Sequence, residues 1–145
     1  MKNTVGLIFT KKMMFLNMEL LWSGVSIAFW SGVLIPILVL LQDKGEDMPE
    51  MHKHFESLAL YAMCCFGLGE VLGGAVQGQI IDNLGSKAGC LCNILSVCLC
   101  VSLTVVSISS GELNIVAYLM CFFWGFHDGN INIHVFQTLG FEFVS

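Results

Sequence analysis

Four long apolar stretches, separated by short polar ones, constrain this chain more than any other feature. A helix rises about 1.5 Å per residue, so roughly 20 mostly apolar residues are needed to cross a hydrocarbon core about 30 Å thick. Met13 to Leu41, Leu58 to Ile81, Ala88 to Ile108 and Leu113 to Gly140 each meet that length. The expected fold class is an all-α membrane protein with four transmembrane helices embedded in a lipid bilayer. Composition supports this: 12% of residues are charged, against about 25% in soluble domains. Mean hydropathy is +0.79.

The connections set the topology. The first, Gln42 to Ser57, carries Asp43, Glu46, Asp47, Glu50 and Glu56 against Lys44 and Lys53. The second is the compact turn Gly78-Gln79-Ile80-Ile81-Asp82-Asn83-Leu84-Gly85-Ser86-Lys87, and the third is Ser109-Ser110-Gly111-Glu112. Short connections make neighbouring helices antiparallel. Lys2, Lys11, Lys12 and Lys87 fall on one side of the resulting bundle and Lys44 and Lys53 on the other. Positively charged flanks favour the cytoplasm, which places both termini and the Lys87 turn there. Residues 1–12 read as a cytoplasmic N-terminal segment. Their apolar part, Val5 to Phe9, is too short for a signal peptide and is followed, not preceded, by lysines.

Several function classes are excluded. The chain has no arginine, which removes bidentate phosphate recognition and any nucleic-acid surface. It has no nucleophile elbow and no phosphate loop, so neither an enzyme nor a cofactor is expected. Its seven cysteines sit inside apolar runs and read as small packing residues, and their spacing does not suit a tetrahedral zinc site. Met14-x-x-x-Met18 with thiols nearby could ligate a soft metal, but methionines at this spacing in an apolar helix are more often packing.

Acids within the apolar stretches need a physical reason, because a charge at the bilayer centre is disfavoured by about 2.5 kcal/mol or more. Glu19 either reaches the interface or lines a cavity. Glu70 lies among Gly67, Gly69, Gly73 and Gly74, and the spacings Gly69-x-x-x-Gly73 and Gly74-x-x-x-Gly78 permit close approach of another helix. The fourth stretch is the most polar. Asn130, His134 and Gln137 share one face with His127 a turn earlier, while Asp128 and Asn132 form an adjacent row. Such a density belongs in the bundle interior, as a hydrogen-bond network or along a water-filled path.

The turn Gly78-x-x-x-Asp82-x-x-Gly85-x-Lys87 resembles the signature loop of the major facilitator superfamily, G-x-x-x-D-x-x-G-R/K-R/K. Asn83 and Ser86 stand where that family often has basic residues. Trp124-Gly125-Phe126-His127-Asp128-Gly129-Asn130-Ile131-Asn132-Ile133-His134, continuing to Leu139-Gly140, is similar to the G-x-x-D-x-x-x-N-x-Q segment of the Unc-ninety-three-like, ion-channel-regulator branch. Gly125, Asp128, Asn132 and Gly140 fit, whereas His134 stands where glutamine is expected. Gly24-Val25-Ser26-Ile27-Ala28-Phe29 resembles that branch's G-x-x-x-A-F stretch.

The resemblance implies that residues 13–145 are part of a major-facilitator domain, with the four spans corresponding to helices seven to ten of twelve. Each half of that fold comprises two three-helix inverted repeats, with the substrate site between halves. The chain would then be one repeat plus one helix: a fragment, a truncated product or a piece that pairs with a complementary half. Asp128, Asn132, His134 and Glu19 would line the cavity, and Gly78, Asp82, Gly85 and Lys87 would form the gating loop. The implied function is membrane transport or ion-channel regulation, with a complementary transporter half or an ion-channel subunit as partner. The alternative is a small four-span accessory subunit that docks through the polar face of its fourth helix.

Overall fold

The computed structural model describes residues 11–42 and 48–143. The segment Met1 to Thr10, with Lys2, and the loop positions Asp43, Lys44, Glu46 and Asp47 lie outside them. The elements are α1 (Lys11–Phe29), a π-helical turn (Trp30–Leu34), α2 (Ile35–Gln42), α3 (Met48–Leu84), α4 (Ser86–Ser110) and α5 (Ile115–Phe143). No strand occurs among the described residues.

The first apolar stretch is continuous helix, but it widens by one residue at Trp30–Leu34. Pro36 follows two residues on, after Ile35. Its ring nitrogen carries no hydrogen and its ring collides with the carbonyl four residues back, and a π turn relieves both. Ser31 Oγ donates to the Ile27 carbonyl at 2.7 Å within the same stretch. The neighbouring rings then point at two different helices. Phe29 packs on Trp124 of α5 and Trp30 on Phe66 of α3, each with centroids 4.6 Å apart.

Two boundaries differ from expectation. Helix α3 begins at Met48 rather than Leu58, so the second half of the charged connection is helical. The turn expected over Gly78–Lys87 shrinks to a single residue: Gly78 and Asp82 lie in α3, Lys87 lies in α4, and only Gly85 is outside a helix. Gly85 adopts φ 85°, ψ 169°, a region essentially closed to residues with a Cβ. Its N–H donates to the Ile81 carbonyl at 2.9 Å, and its own carbonyl accepts from Ala88 N–H at 3.1 Å. At the far end of α4, Gly111 terminates the helix in the left-handed conformation, φ 61°. Asn114 then starts α5, its Oδ1 accepting from Val116 N–H at 2.9 Å.

Among the described residues, three helical segments are long and apolar enough to cross a membrane: Leu16–Leu38, Leu60–Leu84 and Ser86–Ser110. The chain is a multi-pass integral membrane protein. The expected fourth span, α5, is long enough but is not among these three. His127, Asp128, Asn130, Asn132, His134 and Gln137 lower its apolarity. Yet α5 is the helix that α1, α3 and α4 all pack against. Its buried residues include His127, Asp128, Asn130 and His134.

Helices α3 and α5 meet backbone to backbone. A Cβ on Gly69 would fall on the Phe122 carbonyl oxygen, and one on Gly73 on that of Phe126. The relation is reciprocal: a Cβ on Gly125 would fall on the Phe66 carbonyl and one on Gly129 on that of Glu70. The close approach read from Gly69-x-x-x-Gly73 therefore occurs, with a matching Gly125-x-x-x-Gly129 opposite. The second spacing works differently. Gly74 faces the Ile133 side chain, and the space beside Gly78 is open.

The larger apolar core lies towards one end of the bundle. Leu34, Leu38, Ala62, Phe66, Cys100, Met120 and Trp124 belong to it. A small cluster of Leu16, Ile131 and Val135 lies nearer the other end. All seven cysteines are free. Cys100 and Cys121 are buried in the larger core, and the Cys100 thiol donates to the Phe123 carbonyl at 3.1 Å.

Candidate functional site

At the Gly85 end, four helices converge on a polar cluster. Glu19 comes from α1, Asp82 from the last turn of α3, Ser86 from the first turn of α4, and His134 and Gln137 from α5. The Glu19 carboxylate bonds His134 Nδ1. His134 Nε2 lies 3.0 Å from Ser86 Oγ and 3.3 Å from the Ser86 carbonyl oxygen. One turn further along α5, Gln137 Nε2 donates to Asp82 Oδ1 at 3.3 Å. Glu19, expected either at the interface or in a cavity, pairs with the buried His134.

The His134 site accommodates two proton states. A carboxylate accepts only, so Nδ1 donates to Glu19 in either state. With a neutral ring, Nε2 accepts from the Ser86 hydroxyl. With a charged ring, Nε2 donates to the Ser86 carbonyl or hydroxyl oxygen. Both arrangements use the same atoms and leave neither ring nitrogen unpaired.

Two turns earlier on the same face, His127 is built differently. Trp22 Nε1–H donates to its Nε2 at 3.1 Å, and Ser96 Oγ lies 2.7 Å from its Nδ1. An indole N–H can only donate, so Nε2 is the acceptor and the ring proton sits on Nδ1. Nδ1–H therefore donates to Ser96 Oγ, whose own proton goes to the Asn93 carbonyl at 2.9 Å. The chain of donors closes only with a neutral ring. Trp22 and Trp124 also meet the imidazole edge-on, with centroids 6.4 and 6.2 Å away.

The remaining polar row is local. Asn132 Nδ2 donates to Asp128 Oδ2 at 3.2 Å, one turn apart on α5. Asp128 is buried, and its Oδ1 has no hydrogen-bond partner among the described residues. Asn130 Nδ2 reaches the Cys92 sulfur of α4 at 3.8 Å.

The cavity candidates and gating candidates of the sequence thus regroup. Glu19 and His134 join Asp82 at the Gly85 end, while Asp128 and Asn132 form a separate pair within the bundle. Gly85 makes the reversal, and Gly78 and Lys87 take no part in these bonds. Trp22, Ser86 and Ser96 hold the histidines and were not singled out by sequence. Their only signal is chemical: a Trp or Ser within an apolar stretch must place its polar hydrogen somewhere.

Fold and site together define a multi-pass helical membrane protein with a set of polar side chains, His127, Asp128, Asn130 and His134 among them, buried inside the bundle. Residues 1–111 match the family described as ion channel regulatory protein UNC-93, and the chain belongs to that family. The matched stretch covers α1 to α4 and contains both the Gly24–Phe29 stretch and the Gly85 turn. Helix α5, with Asp128, Asn132 and His134, lies beyond it. No curated protein and no solved structure matches the chain.

Proposed function

We propose that the chain is a major-facilitator-type helical module acting in ion channel regulation, and that the cluster joining α1, α3, α4 and α5 is its moving contact. What carries this reading is the convergence itself. The acid of the loop that resembles the superfamily's gating motif, Asp82, bonds α5 one turn from His134, which bonds α1 and the start of α4. Through α5 the two groups of bonds link α1, α3 and the start of α4. In this reading α5 is the fourth span, with its polar residues shielded by its neighbours. The helices correspond to seven to ten of the twelve-helix fold, and the Gly85 turn faces the cytoplasm. A transporter half or a channel subunit completes the unit, and transport by the completed unit is the companion possibility.

The accessory-subunit alternative placed its docking surface on the polar face of α5. That face is turned inward, since His127, Asn130 and His134 are all buried. The gating reading is tested by whole-cell conductance in cells whose own copy has been removed. Wild type, Asp82→Asn and Glu19→Gln are compared at equal membrane abundance. Both variants are expected to lose the conductance change that wild type produces. A wild-type response from both would refute regulation through the cluster.

A further inference from the structure

Glu70 sits near the middle of the α3 span Leu60–Leu84, and it is exposed. Its backbone is fixed in the α3–α5 seam, where its carbonyl oxygen occupies the space a Cβ on Gly129 would need. No hydrogen bond or ion pair holds its side chain among the described residues, and the charge it meets within the bundle is a like one, that of Asp128 on α5. On its open flank, the side shared with Gly67 and Gly78, the α3 surface is apolar: Leu60 and Val71 are 66 and 72% exposed. Gly67 and Gly78, three residues before it and eight after, lie on the same side of α3 and have open space where a Cβ would be. The glycines of α3 thus serve two surfaces. Gly69 and Gly73 are consumed by α5, whereas Gly67 and Gly78 leave the backbone beside Glu70 open to another helix.

A carboxylate at this depth is not stable against hydrocarbon. Lipid headgroups lie about 15 Å away, half the thickness of the hydrocarbon core, which is beyond the reach of a glutamate. A second copy of the chain does not supply a counter-charge. There is no arginine, and the six lysines are Lys2, Lys11, Lys12, Lys44, Lys53 and Lys87. Only Lys87 falls within a spanning segment, at the second residue of α4. Two copies meeting on this face would set Glu70 against Glu70.

We infer that the Glu70 face of α3 is a docking seam for a partner's transmembrane helix that carries a lysine or arginine at mid-bilayer depth. The carboxylate takes the base, and the open surface at Gly67 and Gly78 lets the two backbones come close enough for the pair to form. This rests on α3 crossing the bilayer, not on the gating reading, so either can fail without the other.

The test uses the full chain in phosphatidylcholine vesicles, with energy transfer from its own tryptophans to dansyl-labelled leucine–alanine transmembrane peptides. One peptide carries a central lysine, one a central glutamate, and one neither. The lysine peptide is expected to associate about ten-fold more tightly than the uncharged one, as for an interhelical polar contact of about 1.4 kcal/mol. E70Q should erase the difference, and E70K should transfer the preference to the glutamate peptide. G67L, which fills open space without touching the α3–α5 seam, should weaken lysine-peptide binding while leaving helix content unchanged. Equal binding of the lysine and uncharged peptides by wild type would overturn the inference. So would a lysine preference that survives in E70Q, or self-association through this face that the lysine peptide does not compete away.

Discussion

Helix α5 is held on two sides by two different kinds of contact. Towards α3 it uses backbone: Gly125 and Gly129 interlock with Gly69 and Gly73, and carbonyl oxygens occupy the space of the missing side chains. Towards α1 and α4 it uses side chains: His127 and His134 reach Trp22, Ser96, Glu19 and Ser86. The first contact has one geometry, because a backbone cannot adopt a different rotamer. The second is made of hydrogen bonds that can be exchanged for others. In a bilayer there is no hydrophobic drive between helices, so close packing and polar contacts are what remain to hold them. Here each has its own side of one helix. The contrast suggests a rigid α3–α5 pair against which α1 can shift.

The largest effect is expected at the rigid side. Gly125→Leu or Gly73→Leu forces a side chain into a backbone, and should destabilise the bundle by at least ~3 kcal/mol. Unfolding in mixed micelles, followed by far-UV circular dichroism, measures this. Gly67→Leu is the control, because its space is open. If it destabilises equally, the seam is not where the structure places it.

Next comes the closed network. Ser96→Val leaves His127 Nδ1–H without an acceptor, a loss of about 2 kcal/mol. Thermal unfolding read through tryptophan fluorescence reports it, since Trp22 and Trp124 both touch the ring. No change would mean that the hydroxyl does not complete the network.

Glu19→Gln should be milder, about 1 kcal/mol, because Gln can still accept from His134. Its signature is positional: limited proteolysis before α1 should speed up while α3 and α5 remain protected. Uniform loss of protection would contradict the division between a fixed and an exchangeable side. Gln137→Ala removes only an exposed bond to Asp82 and should shift stability by less than about 0.6 kcal/mol in the same unfolding assay.

How much of this could be read from the chain varies with distance along it. The apolar stretches and one half of the glycine seam are local patterns and are visible as such. The other half, Gly125 and Gly129, is hidden among His127, Asp128, Asn130 and Asn132, whose polarity dominates the local pattern. The early start of α3 is not legible in the same way, because a charged stretch reads as loop although a helix can continue beyond an apolar span. Glu19, Asp128, Asn132, His134 and Asp82 stand out as polar residues near or within apolar stretches, but their grouping does not. Asp128 and Asn132, four residues apart, could be paired from helical spacing. Glu19 and His134 are separated by 115 positions and Asp82 and Gln137 by 55. Helical periodicity carries no information over such separations.

The sequence by itself determined that this is a helical membrane protein and roughly where its helices run. Burying about 20 apolar residues in a row leaves few alternatives in either water or lipid. It also determined that some acids and histidines must be buried with partners, because their cost in hydrocarbon is high. The tertiary structure alone decided which partners. The two histidines lie on one face of one helix, and nothing in their own positions distinguishes them. One became closed and neutral because a tryptophan N–H, which can only donate, meets its Nε2. The other can carry its proton or release it because a carboxylate and a serine flank it.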